Sequence, residues 1–160
     1  DYEANVRVAL CRLARSLPRA DCRLSRTRQS SPAFVARLAA DGLLGRRQSL
    51  DALNLHRFLV DVDGNVSSWD RFLLIGSFGG VPVRFETSWE ECWHHLLVAG
   101  EHFVPADRRT LAAELERLRG EPEVARRIAA AARRFVLHNL SRPALLRTLA
   151  ATLEAHESRR

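Results

Sequence analysis

Between residues 56 and 105 the spacing of apolar residues changes several times, and this alternation restricts the fold more than any other feature of the chain. Phe58, Leu59, Val60 and Val62 form a short β-prone run that ends at Asp63-Gly64-Asn65, so this stretch reads as a buried strand followed by a turn. Helical spacing resumes at Trp69, Phe72, Leu73 and Ile75, with Ser67 or Ser68 as the expected cap. Gly79-Gly80 then opens a second strand, "GGVPVRFE". The stretch "SWEECWHHLLVAG" predicts an amphipathic helix capped by Ser88, and "EHFVPA" a third, short strand. Strands joined through helices run parallel. The expected fold is therefore α/β, a Rossmann-like parallel sheet with flanking helices, with "FLVDV" near its middle.

The flanks are helical. Val6, Leu10, Leu13 and Leu17 recur at helical spacing over 3–16, and Pro18 follows. Residues 21–25 suggest a short strand. Ser31 as cap and Pro32 in the first turn start a helix that Gly42 stops. Ser49 caps a short helix. Three helices starting at Asp107, Pro122 and Ser141 form a C-terminal helical tail. A chain of 160 residues that is 46% hydrophobic suits one domain, 1–160. It has no Met and begins with Asp1, which predicts a fragment or a processed chain.

Charge narrows the partners. All 25 basic residues are Arg, and 19 acidic residues leave a net charge of +6. Such a chain can meet nucleic acid, an anionic membrane or a phosphorylated ligand. Most arginines, however, are dispersed and lie beside Glu, as in "AELERLRGEPEVARR", which reads as solvated helix faces. A nucleic-acid binder would interleave arginines with aromatics, so no nucleic acid is expected. Cys11, Cys22 and Cys92 are odd in number and form no CxxC pair, so they read as small buried apolar residues in a reducing compartment. No apolar run is long enough to span a bilayer.

Ligands of open parallel sheets bind beyond the carboxyl ends of strands, where a helix start offers free N–H groups and about half a positive charge. The turn after "FLVDV" is therefore a candidate diphosphate site. Gly64 would admit the backbone closely, Asp63 and Asn65 shape the turn, and Ser67 and Ser68 offer hydroxyls. Arg71, one turn into the helix, offers a forked cationic donor. A second reading of the same residues pairs Asp61 with Asp63 on one strand face as cation ligands. His94 and His95 lack the i, i+4 spacing of a metal pair, and His102 reads as a strand-end hydrogen bonder. The three tryptophans read as packing, with Trp69 nearest the site.

Taken in order, Asp63-Gly64-Asn65, Ser68-Trp69, Gly79-Gly80, Glu91-Cys92-Trp93 and His102-Phe103-Val104-Pro105 resemble the signature stretch of family-90 glycosyltransferases. The downstream "GEPEVARRIAAAARRFVLHNL" resembles a helix of the same family, and the likeness runs over roughly residues 20 to 155. The resemblance implies the C-terminal, nucleotide-sugar-binding half of a two-domain GT-B enzyme. It implies a UDP-sugar donor, such as UDP-glucose or UDP-xylose, inverting transfer and no obligate metal. The acceptor, a glycan, lipopolysaccharide, capsule or protein hydroxyl, would be held by the N-terminal half, which also carries the base. On that view this chain alone is inactive and Arg71 lies close to the diphosphate. The compartment is expected to be the cytoplasm for a bacterial-type member, with peripheral membrane contact left open, and the secretory lumen for a eukaryotic one. Three positions depart from the family pattern: His94 for Tyr, Gly100-Glu101 for Pro-Trp, and Ile75 for Lys or Arg. The alternative is a nucleotide-binding or regulatory domain without transfer activity.

Overall fold

A computed structural model describes residues 1–25, 29–64, 66–68 and 70–157. Asn65 and Trp69, both named above, lie outside the described residues. The element order is α1 (Val6–Ala14), α2 (Pro32–Ala40), α3 (Leu50–Asn54), β1 (Phe58–Val62), α4 (Arg71–Phe78), β2 (Val81–Phe85), a 3-10 turn (His94–Leu96), β3 (Val104–Ala106), α5 (Leu111–Gly120), α6 (Pro122–Asn139) and α7 (Arg142–Glu157). The strands form a parallel three-stranded sheet in the order β1-β2-β3, flanked by helices. The α/β reading and the parallel sheet therefore hold. No described helix is long and apolar enough to cross a membrane.

Several helix starts follow their local chemistry. Asn5 caps α1 by accepting from the amides of Arg7 and Val8. The Ser31 hydroxyl accepts from the Phe34 amide ahead of Pro32, and Ser49 does the same for Ala52. Gly42 takes a φ of 67° just after α2, a conformation that costs a glycine little.

One expectation about the sheet fails. β1 is an edge strand, and β2 is the centre with all five residues buried. Apolar runs show that a strand is covered, but the order of strands depends on which faces the helices close. The β1 edge runs beside helix α1 and residues 20–25, where Leu24 makes only an isolated parallel bridge to Leu44.

The sheet carries two prolines in particular places. Val81 N–H donates to the Arg57 carbonyl, so the backbone groups of Val81, Val83 and Phe85 turn towards β1 and those of Pro82 turn away. Pairing with β3 begins only at Val83, so the missing donor of Pro82 meets no partner strand. Glu86 N–H donates to the Ala106 carbonyl, which places the backbone of Pro105 on the outer edge of β3.

Three clusters make the core. Val62, Val81, Val83, Phe85 and Val104 pack with Leu10 of α1, with Leu111 and Leu115 of α5 and with Ile128 of α6. Tyr2, Val8, Cys11, Leu38 and Leu43 join α1 to α2. Phe72 of α4 meets Phe135, Val136 and Leu140 at the α6 end, with Trp93 and Phe103 against them. Gly76 makes the α4–α6 approach close: a Cβ there would lie 2.6 Å from Val136 Cγ2 and 3.3 Å from the Ala132 carbonyl oxygen.

Candidate functional site

The carboxyl ends of β1 and β2 bring together Asp61, Asp63 and Arg84, the buried charged residues among those described. Asp61 and Arg84 stand opposite each other in the register. Their side chains are 5% and 9% exposed, and Arg84 Nε lies 3.8 Å from Asp61 Oδ2. Burial pushes the Asp61 carboxyl up, against the pull of Ser68 and the charges of Arg84 and Arg71. Arg84 Nη2 reaches Thr87 Oγ1 and His94 Nδ1, each at 3.3 Å, while its guanidinium lies 5.3 Å from the Phe103 ring centroid. Its Nε is buried without a hydrogen-bond partner among the described residues.

Asp63 fastens the loop after β1 to the loop after β2. Its Oδ2 accepts from Thr87 Oγ1 at 2.6 Å, from the Ser88 amide at 3.1 Å and from the Trp89 amide at 3.4 Å. The helix expected from Ser88 is absent: the Ser88 and Trp89 amides are held by Asp63 in the loop after β1, and the Glu91 amide goes to His94 Nδ1. Only the 3-10 turn at His94–Leu96 forms.

Neither serine caps α4: Ser67 donates to Glu91 and Ser68 to Asp61. Helix α4 starts at Arg71, after Asp70, which makes no capping bond through its side chain. Arg71 is thus the first residue of the helix rather than one turn in. Asp61 and Asp63, considered above as a cation pair, have separate partners. The described residues contain no group of three or more His, Cys, Asp or Glu side chains able to hold a metal ion.

Arg7 is the site residue that the motif did not reveal. Its Nε donates to the Asp63 carbonyl at 2.8 Å, across 56 residues of sequence. Its guanidinium occupies the space over Gly64, where a Cβ would stand 2.8 Å from Arg7 Cζ. The absent side chain of Gly64 thus makes room for a cation. Burial, then the charge of Arg71, lower the pKa of Arg7. Among the described residues neither Arg7 nor Arg71 makes an ion pair with a carboxylate. Both line a cavity of about 1200 Å³ beside β1, which Arg19, Arg46, Arg57 and Arg119 also border. The helix-face reading holds for Arg117, Arg119 and Arg126, which pair with Glu residues three or four positions away. It misses this gathering of arginines around one cavity.

His94 offers a direct check on this geometry. Glu91 N–H and Arg84 both approach Nδ1, which holds the ring neutral with its proton on Nε2. Burial, then the Arg84 charge, push its pKa below 6.5. A folded-state pKa below the unfolded one makes the contribution to stability full above about 6.5 and lost as pH falls from there through the lower folded-state pKa. Titration by NMR should find His94 below the usual histidine range, and Arg84→Gln should raise it. A His94 that titrates at or above 6.5 in the parent chain would contradict the burial.

The model of glycosyl transferase family 90 matches residues 3–147. The chain belongs to that family. No curated protein sequence matches it. The family-90 match runs from before α1 into α7, so it includes Arg7, both loops and the cavity wall. Sugar transfer is the reaction class that goes with a family-90 glycosyltransferase.

Proposed function

We propose that these residues form the donor-binding, C-terminal half of a GT-B, inverting family-90 glycosyltransferase that uses a UDP-sugar. The observation that carries this reading is the pair Arg7 and Arg71. Two guanidiniums, neither in an ion pair with a carboxylate among the described residues, line one cavity beside β1. Such cations match the charge of a diphosphate. The cavity volume of about 1200 Å³ admits a nucleotide sugar.

In this reading Gly64, Ser67 and Ser68 border the diphosphate, and Asp63 holds the loop that shapes it. An acceptor hydroxyl, on a glycan, lipopolysaccharide, capsule or protein, is deprotonated by a carboxylate outside these residues. Its oxygen forms a bond to the anomeric carbon from the face opposite the diphosphate, so the configuration inverts. The bond from the anomeric carbon to the β-phosphate oxygen breaks, and UDP leaves with the electron pair. Arg7, Arg71 and the amides at the start of α4 stabilise that charge in place of a metal ion.

Calorimetric titration of UDP and uridine into the parent chain and Arg71→Ala tests the reading. A charge-assisted hydrogen bond contributes on the order of 1.5–3 kcal/mol, so UDP should bind about 10- to 150-fold more weakly to the variant. Uridine should bind both equally. Equal affinity of UDP for both proteins would remove Arg71 from the site. A domain that only binds nucleotide would show the same titrations, but no sugar transfer once the remainder of the enzyme is supplied.

A further inference from the structure

The wall of the cavity holds two thiols that the site does not use. Cys11 lies in α1, one turn after Arg7, and Cys22 lies in the segment that follows the helix. Their sulfur atoms are 3.5 Å apart. Cys11 is buried, Cys22 is half-buried, and both border the open cavity. Cys92, the third cysteine, is exposed on another loop.

We infer that Cys11 and Cys22 are an oxidisable dithiol, which hydrogen peroxide entering the cavity converts to a disulfide joining α1 to the segment at Cys22. Closing from 3.5 Å to a bond of about 2.05 Å requires the sulfurs to approach by about 1.5 Å, within reach of side-chain rotation. The sequence gives no sign of this pairing, because the spacing matches no redox motif. It arises from the fold, which turns the chain back on itself between the end of α1 and Cys22.

The roles of the two sulfurs differ. The two sulfurs share a hydrogen bond in which either can donate, and burial raises the pKa of Cys11. Cys22 is the more accessible sulfur, so it attacks first. Its thiolate takes one oxygen of the peroxide as the O–O bond breaks. Cys22 becomes a sulfenic acid, and the other oxygen leaves as hydroxide, which takes up a proton to form water. The Cys11 sulfur then attacks the Cys22 sulfur. Its S–H proton leaves with the sulfenic hydroxyl as a second water, and the S–S bond forms. Two thiols have supplied the two electrons that reduce one peroxide.

Oxidation would fix α1 one turn from Arg7, whose Nε holds the Asp63 carbonyl. The disulfide itself stands independently of the donor reading, and its test uses no nucleotide. Cys92→Ser removes the exposed thiol and with it disulfides between chains. This variant is treated with hydrogen peroxide, quenched, denatured, alkylated and weighed intact. The expected product is monomeric, lighter than the reduced chain by two hydrogens, unalkylated at Cys11 and Cys22, and restored by dithiothreitol. Adding Cys11→Ala should leave Cys22 as a sulfenic or sulfinic acid, and adding Cys22→Ser should leave Cys11 reduced. Full alkylation of both cysteines, at a peroxide dose that oxidises Cys92 in the parent chain, would overturn the inference. So would a sulfinic acid at Cys22 with Cys11 still free in the Cys92→Ser chain.

Discussion

Gly76→Leu is expected to lose more than about 3 kcal/mol of stability. The reason lies in the helix contact rather than in the glycine's own conformation. Even a single added carbon would press on Val136 Cγ2 at 2.6 Å, with the Ala132 carbonyl 3.3 Å away. Val136 is buried and β-branched, so it has few rotamers into which to withdraw. Gly76→Ala sets two terms against each other. It gains about 1 kcal/mol of helix propensity and costs about 1–3 kcal/mol in overpacking. Val136→Ala in the same chain should recover part of that loss. Urea denaturation of the four chains, parent, Gly76→Ala, Val136→Ala and the double variant, measures the coupling. Strict additivity would show that the two residues do not meet.

Asp63→Ala should cost about 2–5 kcal/mol, because it strands the Ser88 and Trp89 amides as well as the Thr87 hydroxyl. The effect extends beyond stability. Arg7 rests on the Asp63 carbonyl, so loosening the loop frees the cation over Gly64. UDP affinity should therefore fall along with stability, and Asp63→Asn, which keeps an acceptor, should restore much of both. Hydrogen exchange at Ser88 and Trp89 separates this account from a general loss of packing. Their amides should exchange faster in Asp63→Ala while those of β2 stay protected. Uniform acceleration across the sheet would contradict the local role.

These two residues also mark where the sequence was legible. Local signals were read well wherever the partner lies within a few residues, as at Ser31 with Phe34 and Ser49 with Ala52. The strand 58–62 was legible because burial selects an apolar run. Its place at the edge was not, since that depends on the packing of elements far apart in the chain. The failures at Ser67, Ser68 and Ser88 share one feature. Each serine is engaged by a carboxylate away from the expected cap: the hydroxyls of Ser67 and Ser68 donate to Glu91 and Asp61, and the Ser88 amide donates to Asp63. Arg7 was invisible for the same reason, as its contact with Asp63 crosses 56 residues. Asp63, Gly64 and Arg71 stand out as turn and helix-start residues because that chemistry is local, and the family likeness rested on many such elements in the right order.

Pro105 on the outer edge of β3 has a consequence for the chain in solution. A residue without an amide proton at that position interrupts the row of donors that another strand would need. β1 has no such interruption, because Phe58, Val60 and Val62 all turn their backbone groups away from β2. The sheet is therefore one-ended with respect to lateral growth. Strand addition, whether productive or aggregating, is directed to the side that faces the arginine-rimmed cavity.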